Sequence, residues 1–192
     1  MNSYLTLIGS FIIGGLFLLS INRYHASFNQ NSDEKILEGI NIQNSASIIK
    51  LIEHDFNRIG YGDTTSLYES NVKAIKKAVI DSIYFSSDIN SDGTVDMLKY
   101  YLSPIDSILY RVEVINNMAE EYQIPGVTLF QIKYLDATGN EIFNLTNLAT
   151  LNKKIRTFEI ELMVEGKLAY DDKNPPKFYW QTKITPPNIS RY

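Results

Sequence analysis

The chain of 192 residues contains no cysteine, which removes disulfides, a thiolate nucleophile and cysteine metal sites from consideration. Histidine is almost as scarce. His25 and His54 are the only two, and neither has a partner at a spacing that suggests a metal site or a catalytic triad. Basic charge is also short: 18 Lys and Arg against 22 Asp and Glu leave a net charge of -4 and a pI near 5.2. No basic face is available to neutralise a phosphate backbone, so nucleic acid is excluded as a partner. Internal repeats and low-complexity tracts are absent as well.

What the chain does have is an uncharged apolar run, Tyr4 to Ile21. Eighteen residues at helical rise cover about 27 Å, close to the roughly 30 Å hydrocarbon core of a bilayer. A cleaved signal peptide would need basic residues before the run and a small-x-small site after it. Met1, Asn2 and Ser3 bring no side-chain charge, and His25-Ala26-Ser27 is a poor site. A buried core helix would keep a polar face, whereas only Thr6, Ser10 and three glycines interrupt this one. The run therefore reads as a membrane span in contact with lipid. Arg23 follows it, a single vote by the positive-inside rule for a cytoplasmic C-terminal region.

The remaining residues, about 170, suffice for one domain with its own core. Ile36, Leu37 and Ile40, then Ile48, Ile49, Ile52, Phe56 and Ile59 recur at three- and four-residue steps, which predicts that the helix continues. Phe28 to Ser32 and Gly39 are the places where a bend would fall. Gly60 and Gly62 read as its stop. Unbroken from Tyr4 to Ile59, such a helix would reach about 84 Å, a length that makes sense only if half of it packs in lipid or against partners. Beyond Ala78 the period becomes two. Ile108 to Val114 sets Tyr110, Val112 and Val114 against Arg111 and Glu113, and Phe158, Ile160 and Leu162 alternate with Glu159 and Glu161. With Val79 to Ser86, Met97 to Leu102, Val127 to Leu135 and Phe178 to Ile184, about six strands are expected, in an antiparallel meander. Asn90 to Gly93 and Ala137 to Asn140 read as hairpin-type turns. The expected fold class is α+β, with a long N-terminal helix packed on an antiparallel sheet: a transmembrane helix at 1–22, its amphipathic continuation at 23–62 and a β domain at 63–192. Ile48, Ile52, Phe56 and Ile59 would bury against the inward strand residues.

Several segments, taken in order, resemble the type IV pilin-like family, and within it the PilW-type minor pilins and J-type minor pseudopilins of type II secretion. Leu5-Thr6-Leu7-Ile8, followed by an apolar run with Gly14-Gly15-Leu16, is similar to the family's FTLIE start. Asp55-Phe56-Asn57-Arg58-Ile59-Gly60-Tyr61-Gly62 resembles the segment that ends the family's helix. Ile83 to Gly93, then Tyr100-Tyr101-Leu102 and Leu109-Tyr110-Arg111, resemble its F-x-x-D-x-x-x-D-G, YYL and LYR succession. The resemblance implies a pilin-like fold, a single pass through the inner membrane, an extracytoplasmic domain and incorporation into a filament with other pilin-like subunits and an assembly platform. No catalytic residue is expected on this reading. Gly9, Ser10, Gly14 and Gly15 would serve helix packing. Two positions depart from the family. Tyr4 stands where a leader would end in glycine, and Gly9 replaces the glutamate that pairs with a neighbour's amino terminus. The second departure implies a minor, tip or initiator subunit; the alternative is a membrane-anchored binding module that does not polymerise.

Asp88-x-Asn90-x-Asp92-Gly93-x-x-Asp96 begins like a calcium loop, with oxygen side chains at alternate positions before a glycine. Position twelve is Lys99 rather than a bidentate glutamate, so the match stops part-way. A turn built from Asn, Asp and Gly explains the same residues and is preferred; calcium on Asp88, Asn90, Asp92 and Asp96 is the other reading. His54-Asp55 is read as a solvated helix face, and Glu120-Glu121 and Asp171-Asp172 as exposed charge beside turns or loops. Asn144-Leu145-Thr146 and Asn188-Ile189-Ser190 match a glycosylation acceptor too short to exceed chance.

Overall fold

The computed structural model describes residues 2–62, 74–147, 153–166 and 175–189. Asp171, Asp172 and Ser190 lie outside them. One helix, α1 (Asn2–Asn57), is followed by eight strands: β1 (Ile75–Val79), β2 (Ser82–Ser87), β3 (Asp96–Ser103), β4 (Ile108–Ile115), β5 (Met118–Pro125), β6 (Val127–Leu135), β7 (Thr157–Glu165) and β8 (Lys177–Ile184). The expected α+β layout, a long N-terminal helix on antiparallel strands, is what the chain adopts. The strands divide between two sheets, a meander β1-β2-β3-β4-β5 and a smaller sheet β6-β7-β8.

The helix runs without interruption through Phe28 to Ser32 and Gly39, the expected weak points. It stops at the expected glycine. Gly60 has φ of 74° and its N–H donates to Ser86 O at 2.9 Å, so the left-handed residue that ends the helix also ties it to β2. From Ser45 onward the helix enters the core: Ile52, Phe56 and Ile59 are fully buried and Ile48 packs partly against them. The Phe56 ring lies 5.7 Å from Phe85, 5.9 Å from Tyr100 and 5.8 Å from Phe158. One helical side chain thus bridges β2 and β3 of the first sheet and β7 of the second.

Two sequence expectations are corrected. Val79 to Ser86 is not one strand: Val79 pairs with Ser82 across Ile80 and Asp81, a two-residue turn without Gly, Asn or Pro to announce it. Glu120 and Glu121 are exposed, as expected, but they stand on β5, a regular strand paired with β4 from Ile115↔Met118 to Ile108↔Pro125. Asn116 and Asn117, with φ of 51° and 64°, make the tight turn between them. At the β5–β6 junction Gly126 has φ of 85°, and a Cβ there would stand 2.7 Å from Glu165 O. Only glycine allows that close approach, which joins the two sheets at one corner.

Candidate functional site

Two regions of α1 have the character of a functional surface, one at each end. From Leu7 to Ile21 the described side chains are exposed or nearly so; Phe11 is 74% exposed, Ile13 70% and Phe17 66%. This is a helix long enough and apolar enough to cross a membrane. Each large apolar side chain left in water forgoes about 1.5–3 kcal/mol of burial, so the surface demands a cover. Ser10, Gly14 and Gly15 line one open groove with Leu7, Phe11 and Leu18, while Gly9 lies outside it. A Cβ added at Gly9, Gly14 or Gly15 would meet nothing within 4 Å, so each is open to the backbone of a neighbouring helix.

At the other end the helix brings Asp55 to the inner face of the first sheet. Tyr100 Oη donates to Asp55 Oδ2 at 2.5 Å and Arg111 Nε donates to the same oxygen at 2.6 Å. Arg111 also pairs with Glu113, and His54 Nδ1 sits 3.2 Å from Asp55 Oδ1. Asp55 is 5% exposed and Arg111 7%. The solvated face expected for His54-Asp55 therefore holds for His54 alone. Asp55 turns inward because it stands three residues after Ile52 and four before Ile59, on the same buried stripe of the chain, and because β4 supplies the cation. The alternation of β4 is as expected, but its inward face is the one carrying Leu109 and Arg111. Burial works against the Arg111 charge, yet the Asp55 hydrogen bond and neighbouring charges overcome it and its pKa is raised. Burial likewise pushes the Tyr100 phenol well above its ordinary range. Arginine remains charged and tyrosine neutral, which is the pairing a buried carboxylate needs.

Next to this cluster, Arg58 Nη1 donates to Ile89 O at 3.1 Å, and Nη2 donates to Asp88 O and to Ser91 Oγ. Its guanidinium lies over the Tyr61 ring at 5.3 Å. The helix end is thus clamped onto the β2–β3 loop, which contains Asp88, Asn90, Asp92 and Asp96. Those side chains mostly serve the loop itself. Asp88 accepts from Asp92 N and Gly93 N, Asn90 Oδ1 from Asp92 N, Asp92 from Thr94 N, and Asp96 from Ile89 N. Among the described residues, no three His, Cys, Asp or Glu side chains are placed to hold a metal ion. Each of the four side chains thus accepts a backbone N–H of the loop, as a turn built from Asn, Asp and Gly requires. Burial raises the Asp96 pKa, with Asp92 and Asp88 adding to it. Hydrogen bonds from Thr94 and Asn90 hold Asp92 low.

A scan of protein-family models finds no match to this chain, and a search of curated proteins finds none either. The functional reading therefore rests on the residues. Arg111 and Tyr100, read from the sequence as parts of strands, gave no sign in their periodicity that they would meet Asp55. The signal in the sequence was a charged residue on the apolar stripe of Ile52, Phe56 and Ile59, together with the presence of Asp55, Tyr100 and Arg111 in three of the segments that carry the family resemblance.

Proposed function

We propose that this chain is a structural subunit of a type IV pilus-like or type II secretion pseudopilus filament, present as a minor, tip or initiator component. The apolar half of the helix holds it in the inner membrane before assembly and packs among other helices afterwards, while the β domain stands on the extracytoplasmic side. The observation that carries the reading is the layout of one 56-residue helix, in which a bare apolar N-terminal stretch precedes an exposed polar one and only the last turns, from Ser45, pack into the sheets. A helix needed only for the domain's stability would end near its last core contact. This one continues for about 40 residues beyond Ser45, or about 60 Å. The D-F-N-R-I-G-Y segment lends further support, since Asp55, Phe56, Arg58 and Gly60 each have a distinct task in seating the helix on the domain.

The test is the intact mass of the protein recovered separately from native membranes and from sheared surface filaments. A shortened or N-methylated chain in the filament fraction is the expected result. A full-length chain confined to the membrane would replace the proposal with an anchored module that does not polymerise. Recovery in the soluble fraction after alkaline washing would remove both.

A further inference from the structure

β5 is the outer strand of the five-stranded sheet, hydrogen-bonded to β4 on one side only. All of its side chains except Ile124 are exposed, on both faces. The hairpin loop has two residues, so the flanking pair Ile115↔Met118 is a hydrogen-bonded one. Alternation then turns the backbone N–H and C=O of Ala119, Glu121 and Gln123 away from β4. Edge strands are usually blunted by lysine, proline or a bulge. From Met118 to Ile124 there is no lysine or proline, and the register with β4 is unshifted.

The charge on the edge strand itself has one sign, and the cations behind it, Arg111 and Arg58, are held by other partners. Glu120 and Glu121 stand on β5 and Glu113 opposite Glu120 on β4. The nearby guanidinium, Arg111, is held by Asp55 and Glu113; Lys99 lies two strands inward, over Tyr101. On the inner face Tyr122 and Glu113 border a cleft of about 390 Å³ that runs toward His54 at the helix end. We infer that β5 is a docking edge for an extended, basic segment of a partner protein, which adds a strand to the sheet and sets Lys or Arg side chains beside Glu120 and Glu121. Main-chain bonds to Ala119, Glu121 and Gln123 supply affinity, and the acidic rim selects the side chain. A second copy of β5 is the wrong occupant, because pairing would set the glutamates of two copies against each other. The outer strand of the smaller sheet, β8, carries Lys177 and Lys183, but these already bind Glu165 and Glu159. The opposite edge of the five-stranded sheet, β1, carries Lys76 and Lys77, and the dependence of protection on protein concentration tests it as the occupant from a second copy. This docking edge does not depend on whether the chain polymerises.

Hydrogen exchange on the full-length protein in detergent tests it, using two blocked eight-residue peptides that alternate Thr and Val with either Lys or Glu. The Lys peptide is expected to slow exchange in the 118–124 fragment by about tenfold or more, with the effect fading at high salt, while the Glu peptide leaves it unchanged. Glu121→Pro removes one outward N–H without touching the ladder to β4 and should abolish the protection. Glu120→Lys with Glu121→Lys should do the same through charge, and unchanged Trp180 emission in both variants shows that the fold is kept. Equal protection by both peptides, or by neither, overturns the inference. So does protection that grows with protein concentration alone, which would make the occupant a second copy.

Discussion

Asp55 is held out of water by one cation and one phenol, and removing it leaves the Tyr100 hydroxyl and Arg111 Nε without their acceptor while Arg111 keeps only Glu113. Asp55→Ala is therefore expected to destabilise the β domain by about 3–5 kcal/mol, measured by denaturant unfolding followed through Trp180. Replacing the cluster together, Asp55→Leu with Arg111→Met and Tyr100→Phe, should recover much of that loss, since the buried donors then leave with their acceptor. Lys183, a Gln181 hydrogen bond and Lys133 hold Glu159 below its ordinary pKa, and Thr138 and Asn140 do so for Asp136, as Thr94 does for Asp92. A depressed carboxylate pKa gives stability that is present above the unfolded value and is lost as pH falls through the folded one. Asp96, with its raised pKa, has the opposite sign: its protonation favours the fold. Melting temperature should accordingly fall on acidification below about pH 4, and Asp96→Asn should raise it at neutral pH. Millimolar calcium should leave the melting temperature where it is; a rise that Asp96→Asn abolishes would restore the calcium reading of the loop. The spacing of Ile52, Phe56 and Ile59 announced the core residues. The partner of Asp55 gave no such signal, because Arg111 lies 56 positions away on a strand whose inward face periodicity alone does not choose.

The elements are joined by a few backbone and guanidinium contacts rather than by area alone. Arg58 makes three of them, to Asp88, Ile89 and Ser91. Arg58→Ala should loosen the β2–β3 loop while leaving the helix intact, visible as faster amide exchange in residues 88–93 with little change across 45–57. At the helix stop, Gly60→Ala forces an L side chain to keep φ of 74° and is expected to cost about 1 kcal/mol in equilibrium unfolding. The helix, its stop and most of the strands were legible because their signals are local: steps of three and four, alternation, and Gly, Asn or Pro at turns. β1 and β5 were not. β1 is short, with Lys76 and Lys77 inside it, and β5 has exposed residues on both faces, so neither shows the half-buried alternation by which a strand is recognised. Pairing with β2 and β4 makes them strands.

Across the whole molecule the helix behaves as two bodies in series. Residues 22–40 form an exposed stretch of about 28 Å between the apolar run and the first core contact near Ser45. Deleting residues 2–21 should move the protein from the membrane pellet to the soluble fraction and leave the unfolding midpoint of the β domain almost unchanged, because none of their described side chains belongs to its core. A large fall in the midpoint would show that the two halves are coupled. The sequence by itself determined that the chain begins with a span fit for lipid, that a helix continues from it into a core, and that antiparallel strands follow, since each of these depends on the solubility of neighbouring residues at a fixed period. Only the tertiary structure decided that the strands split into two sheets around Phe56, that Asp55 is buried with Arg111 and Tyr100, and that β5 is left as an open acidic edge. Those outcomes depend on which distant segments come to lie side by side, and burial, pairing and edge exposure are properties of that juxtaposition rather than of any local stretch.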